Sequence, residues 1–322
     1  VAYKKSESER GLIVAGLQVP RIIAAGGERS SRRFVEFFTA NIRNRNTRQA
    51  YAQAIGQFLG WCDQRHLRIE TIDPVAVAAY IEQHHGSKPT VKQHLAAIRV
   101  LFDWLVVGQI IPTNPAGSVR GPKHVVKKGK TPVLSAEQAR ELLDSINTST
   151  AIGLRDRALI GVMVYSFARI GAVVGMNVED YWQNGKRWWL RLHEKGGKHH
   201  EVPVHHNAEQ YLDAYIAAAG ISQELKQPLF RTAIRRTGRL TIDRLTRNDA
   251  LRMIKRRARA IGLPRGTCCH TFRATGITAY LDNGGTIENA QAIAAHESPR
   301  TTKLYDRTSD EITLDEIERI VI

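Results

Sequence analysis

The feature that most limits how this chain folds is a break near its middle. Ile111-Pro112-Thr113-Asn114-Pro115 stops a helical run, and Gly117 to Pro132 is rich in Lys, Gly and Pro. Proline lacks the N–H that a helix ladder needs, and a stretch of this composition neither folds alone nor buries much surface. It reads as a basic linker over 116–132, which divides the chain into two bodies. With 322 residues and 43% hydrophobic content, both sides can bury a core.

Ahead of the break the pattern is helical. Residues 1–30 carry Gly, Ser and mixed charge with weak periodicity, as expected of a flexible N-terminal tail. From Ser31, Phe34, Phe37 and Phe38 recur at i, i+3, i+4. A second helix is expected from Asn46 or Thr47, with Tyr51, Ile55, Phe58, Leu59 and Cys62 on one face. Asp73-Pro74 is a cap followed by proline at the first helical position, opening a third helix through Val77 and Ile81. Pro89 opens a fourth, with Val91, Leu95, Ile98, Phe102 and Leu105 on one stripe. Residues 31–115 are therefore expected to form a small four-helix domain.

Beyond the break the pattern is mixed. Ser135-Ala-Glu-Gln138 is a capping box before Leu142 and Leu143. Arg187 to His193 and Glu201 to Val204 read as strands joined by the turn Lys195-Gly-Gly-Lys198. Helical patterning dominates the rest, so the expected fold class is mainly α with a small antiparallel β-sheet. The mixed α/β domain should span 133–308. A last helix over 309–322 carries an apolar stripe of Leu314, Ile317, Ile320 and Val321, capped by Thr313 and Glu316.

Charge narrows the function. The net formal charge is +16 and the pI about 10.0, which points to a polyanionic partner. Between Lys226 and Arg273 stand fourteen basic and two acidic residues. Thr246-Arg-Asn-Asp249 starts a helix there, with Leu251, Ile254 and Ala258 beneath Arg247, Arg252, Lys255, Arg256, Arg257 and Arg259. One apolar and one cationic face suit a helix lying in a DNA groove. A membrane-surface helix fits less well, because Trp and Phe are missing from its apolar side. No apolar run reaches the roughly 18 residues of a membrane span. Three cysteines without a CxxC pair read as reduced thiols, and the expected location is cytoplasmic. His199, His200, His205 and His206 lack a Cys or carboxylate at ligand spacing and read as a solvated strand edge, so no metal is expected.

Six residues could carry chemistry. His270-Thr-Phe-Arg273 sets an imidazole and a guanidinium one helical turn apart on one face. Arg169 follows the apolar segment Leu159 to Phe167, Lys195 sits at the hairpin tip, and His296 precedes Tyr305 by nine residues. In this order, Arg, hairpin Lys, His-x-x-Arg, His and Tyr, the set resembles the tyrosine recombinase (phage integrase) family. The resemblance implies a helical core-binding domain and a catalytic domain that clamp double-stranded DNA in a C shape. It implies Tyr305 as nucleophile, giving a 3′-phosphotyrosine, with Arg169 and Arg273 neutralising the phosphate. Lys195 would protonate the leaving 5′-oxygen, Lys198 being the alternative. His270 would handle the tyrosine proton or orient the phosphate, and His296 would donate a hydrogen bond to phosphate. Neither metal nor cofactor is implied. DNA contacts are expected from Arg247, Arg252, Lys255 and Arg256, with Arg48 and Lys92 serving the small domain.

The resemblance also implies site-specific recombination through a Holliday junction, on short inverted-repeat half-sites. The protein would be a dimer on one site and a tetramer in synapsis, the last helix docking on a neighbouring protomer. About thirty residues ahead of the bundle leave little room for an arm-binding domain. Type IB topoisomerase-like nicking and closing, or DNA binding with impaired catalysis, are the alternatives. The sequence departs from the family pattern at Ala172, where an acidic residue commonly stands three positions after the first Arg. It departs again at Ala294-Ala295 for Leu-Gly, at Ala274 for a second His, and at Phe272 for Leu.

Overall fold

The structure is a computed structural model that describes residues 13–14, 17–126, 129–194, 199–234 and 237–306. The chain divides into two compact units, Val1–Val125 and Val126–Ile322.

In the first unit, β1 (Ile13–Val14) and β2 (Leu17–Gln18) form a minimal hairpin ahead of α1 (Arg21–Ala24) and α2 (Gly27–Glu36). Three long or medium helices follow, α3 (Arg45–Asp63), α4 (Pro74–Glu82) and α5 (Lys88–Val107). Asn44 caps α3, its side chain accepting from the N–H groups of Asn46 and Thr47 at 3.0 and 3.1 Å. The cap thus lies two residues before the earliest expected start. Asp73 caps α4 through the N–H of Ala76, with Pro74 at the first position as expected. Phe34, Phe37 and Phe38 are buried and pack edge to face, at 5.2 and 4.9 Å between centroids.

Two expected boundaries shift. Val19, Ile22 and Ile23 are buried in the same core as α3 and α5, so the ordered fold begins well before Ser31 and residues 19–30 are not a tail. Ala116 and Val119 also belong to that core, and Ala116 O accepts from Arg99 Nε at 3.1 Å. The front of the expected linker is therefore part of the helical unit.

In the second unit, α6 (Ala136–Asp144) starts at the Ser135 capping box. The helix α7 (Ala151–Tyr165) runs through the centre of the core and packs on α9 (His206–Ala219) and α11 (Cys269–Asp282). Gly276 of α11 makes that approach possible, because a Cβ there would meet Val164 O at 2.1 Å. Between α8 (Ile170–Gly175) and α9 lies an antiparallel sheet in the order β3 (Tyr181–Asn184), β4 (Arg187–His193), β5 (His199–Pro203). Leu190 and Leu192 of β4 and Val202 of β5 turn inward, with Leu190 opposite Val202. A separate hairpin, β6 (Arg231–Ile234) and β7 (Arg239–Arg244), precedes α10 (Arg247–Ala260). After α11 come α12 (Ile287–Ile293) and α13 (Pro299–Lys303). Phe167, Ala274, Ile277, Leu281, Ala290, Ala294 and Tyr305 form a small apolar cluster of their own, which seats the last elements on α11.

The chain is thus mainly helical with small antiparallel sheets. Lys195, Lys198 and the expected last helix over 309–322 lie outside the described residues. No helix among the described residues is long and apolar enough to cross a membrane.

Candidate active site

Arg273 is the centre around which the candidate groups gather. It is fully buried on α11, at 1% exposure, and its guanidinium bonds two backbone carbonyls. Nη1 donates to Phe167 O, and Nη2 donates to Ala294 O at 2.7 Å. Both acceptors belong to turns with a left-handed residue, Phe167 itself at φ +53° and Ala295 at φ +47°. Such a conformation costs an L residue about 1–2 kcal/mol, so something must hold it. Here one guanidinium clasps both turns. The first turn delivers Arg169, the N-cap residue of α8, and the second delivers His296. Arg273 Nε has no partner among the described residues, which leaves one buried donor for an incoming acceptor.

Tyr305 lies just past α13 with 7% exposure, and its hydroxyl is 2.6 Å from His270 Nε2. The Thr278 hydroxyl of α11 donates to Tyr305 O at 2.9 Å, tying the tyrosine backbone to the helix that carries His270 and Arg273. The His296 ring stacks on the Tyr305 ring at 5.6 Å and 12°, and His296 Nδ1 contacts Thr302 Oγ1 at 2.9 Å. Arg169 Nη1 donates to Glu194 Oε2 at 2.5 Å.

The electrostatics follow from burial among cations. Burial, and then the Arg169 charge, pulls the Arg273 guanidinium down to about 10, so it stays protonated at neutral pH. Burial and the charges of Arg273 and Arg169 push His296 down to about 3. His270 is exposed on its outer side, yet partial burial against the site, then Arg273 and Arg169, also lower it. Both imidazoles are neutral at neutral pH. His270 in the Nδ1-protonated tautomer accepts the tyrosine O–H at Nε2, the arrangement of a general base.

Five of the six expected catalytic residues, Arg169, His270, Arg273, His296 and Tyr305, therefore converge. Two residues that sequence reading did not single out join them. Glu194 is 8% exposed and pairs with Arg169, although 25 positions separate them, so no local pattern announces it. Thr278 falls on the inner face of α11, but its partner is a backbone carbonyl, which sequence cannot reveal.

The basic helix α10 is capped by Thr246, with Ala250, Met253, Ile254 and Ala258 buried. Arg247, Arg252, Lys255, Arg256 and Arg259 are exposed. Arg257 is not part of that outer face. It turns inward, Nη2 donating to the buried Asp156 of α7 at 2.6 Å. Arg252 is shared with Asp249 at 3.0 Å. In the first unit Lys92 is exposed, whereas Arg48 folds back and gives two N–H groups to Ile42 O at 3.1 and 2.9 Å. Among the described residues no three His, Cys, Asp or Glu side chains gather as a metal site. His205 stacks on Tyr165 at 4.2 Å, and His200 Nε2 contacts Ile293 O at 2.9 Å.

A helical first unit, a basic helix, and two arginines and two histidines around a tyrosine outline a DNA strand-transfer enzyme of the tyrosine type. The phage integrase family matches residues 132–311, and the N-terminal SAM-like domain of phage integrases matches 33–108. The chain belongs to the phage integrase family and is a tyrosine-type site-specific recombinase. It is 30% identical to the tyrosine recombinase XerC of Chlamydia caviae over 230 residues, covering 70% of each chain. It is 25% identical to the tyrosine recombinase XerD of Listeria monocytogenes over 268 residues, 81% of this chain and 87% of that one. Among solved structures, its fold is similar to the XerH site-specific recombinase bound to difH substrate. That likeness has a TM-score of 0.67 at 16% identity and covers 96% of this chain and 98% of that one. A lambda integrase tetramer bound to a Holliday junction is similar with a TM-score of 0.66 at 18% identity, over 88% and 78% of the two chains.

Proposed function

We propose that this protein cleaves and rejoins duplex DNA at specific sites through a 3′-phosphotyrosine made by Tyr305. The observation that carries the reading is the contact of Tyr305 with His270 at 2.6 Å, next to a buried, cationic Arg273. A phosphodiester is shielded by its anionic oxygens, so attack requires neutralisation first. Arg169 and Arg273 supply charge-assisted donors to the non-bridging oxygens as charge builds in the transition state. His270 takes the tyrosine proton as the P–O bond forms. His296 donates to a phosphate oxygen. Lys195, by the family resemblance, gives its proton to the departing 5′-oxygen. The phosphotyrosine conserves the phosphodiester energy, and a 5′-hydroxyl from a partner duplex reverses the step and reseals the strand.

The same reading extends to assembly. Two protomers occupy inverted half-sites of one duplex, two such duplexes make a tetramer, and strand exchange passes through a Holliday junction. Similar folds in complexes with DNA support this, as does the net charge of +16. Arg247, Arg252, Lys255 and Arg256 on α10, with Lys92 on α5, are the DNA contacts. Arg48 serves the first unit's fold through Ile42 instead.

Tyr305→Phe tests the chemistry. A suicide substrate nicked beside the scissile phosphate should trap a protein–DNA adduct with the wild type and none with the variant. Gel-shift affinity should hardly change, because no charge is lost. Adduct formation by the Phe variant overturns the reading.

A further inference from the structure

Glu194 is a buried carboxylate beside two cations, Arg169 and Arg273. Its side chain is 4% exposed, next in sequence to Lys195, and its Oε2 takes the Arg169 Nη1 donor at 2.5 Å. Its charge also favours the protonated form of Arg273. An acid this well buried needs a cationic partner, and Arg169 is that partner. The pairing is lopsided, since the Arg169 side chain stays 37% exposed while Glu194 is covered. With Glu194 covered and Arg169 partly exposed, the guanidinium remains accessible to an incoming anion. Meanwhile the helix of Arg169 offers no acid of its own, for Ala172 is a buried core residue.

We propose that Glu194 is a positioning residue that fixes the Arg169 guanidinium for the scissile phosphate, supplying from the β4 end the carboxylate that α8 lacks at Ala172. It touches no reacting atom. It holds one Nη1 donor so that the arginine fork meets the phosphate in one orientation, and it helps balance the buried guanidinium of Arg273. It also ties the residue that follows β4 to the residue that begins α8. The inference rests on the functional reading above, in which Arg169 binds the phosphate.

The test compares Glu194→Gln, Glu194→Asp and Arg169→Ala in the full chain, with nicked suicide DNA and gel shifts on intact DNA. Glu194→Gln should slow covalent adduct formation by about 10- to 100-fold, the range seen when a group orienting a functional ligand is lost. Its affinity for intact site DNA should stay within about twofold, because phosphate contacts elsewhere dominate binding. Glu194→Asp, which keeps the charge, should recover part of the rate, whereas a merely structural role would not follow charge. Melting temperatures identify any variant that fails to fold, and Glu194→Gln, being isosteric, is the one least exposed to that failure. A wild-type adduct rate in Glu194→Gln overturns the proposal. Tighter DNA binding with an undiminished rate also overturns it, showing the carboxylate to be a competitor that phosphate must displace. If Arg169→Ala itself cleaves normally, the error lies in the functional reading and not in Glu194 alone.

Discussion

Replacing Asp156 by Ala should loosen the basic helix and destabilise the second unit. Asp156 is completely buried on α7. Its Oδ1 accepts from Arg155 Nε and Nη2 at 3.1 and 2.6 Å, and its Oδ2 accepts from Arg257 Nε and Nη2 at 3.0 and 2.6 Å. Removing one member of a buried pair costs about 3–5 kcal/mol, mostly through the charge left behind. Here the lower end applies. Arg155 keeps its bond to Arg231 O at 2.7 Å, and the Arg257 side chain, already 18% exposed, can swing to water. About 3 kcal/mol in a unit of this size lowers its melting temperature by roughly 6–12 °C. Calorimetry of the full chain measures that, and fluorescence anisotropy with a DNA duplex should show weaker binding, since α10 has lost its tether. Arg257→Ala leaves the Asp156–Arg155 pair intact and should cost less, and the double variant should be no worse than Asp156→Ala. A melting shift below about 2 °C for Asp156→Ala would mean the ion pair is not what holds α10 to α7.

Four further outcomes are expected. Ala295→Gly should stabilise the protein by about 1 kcal/mol, because glycine accepts φ +47° without strain, and urea midpoints measure this. His296 titrates near 3 when folded and near 6.5 when unfolded, so between those values the unfolded chain binds the extra proton. Stability is then full above pH 6.5 and falls below it, by about 2 kcal/mol at pH 5, and His296→Asn should flatten that slope in urea melts. Arg247→Ala should lower affinity for the cognate site by roughly 1–3 kcal/mol and relax preference at one base pair. Lys92→Ala should weaken cognate and scrambled DNA alike, and competition at fixed salt separates the two.

How much the sequence shows depends on how each element is held. The strand β4 is legible because Trp188, Leu190 and Leu192 impose alternation, and its bounds are those expected. The hairpin β6–β7 is not legible, since most of its residues are polar, its strands are short, and the brief Leu240 and Ile242 alternation in the largely exposed β7 buries little. The α2 helix begins at Gly27, before the expected Ser31, because it packs there through small residues. Ser30 and Ser31 are buried where periodicity looks for large apolar side chains. Among the site residues, Arg169, His270, Arg273, His296 and Tyr305 are readable from order and spacing. Glu194 is not, and outside the site neither is the link of Asp156 to Arg257, because each pairing joins residues far apart in the chain. Arg257 misleads for the same reason. By helical spacing it belongs with the surface cations, and only the fold shows a carboxylate beneath it.

The charge balance of the site explains why its parts are arranged at some cost. Two guanidiniums sit close enough that Arg169 helps depress Arg273, and both depress the two histidines. Folding alone does not favour this, since like charges in a poorly solvated place oppose one another. Glu194 compensates one positive charge and leaves about one unmet. Arg273 Nε, without a partner among the described residues, and the exposed part of Arg169 are unmet in the same sense. An entering phosphodiester, with one negative charge and two free oxygens, would supply what is missing on both counts. On the proposed function, its charge would also raise both imidazoles toward their ordinary range and make His270 a better proton acceptor for Tyr305. On the same proposed function, neutral histidines around a buried tyrosine are the resting form of the site, and a bound phosphate would activate it.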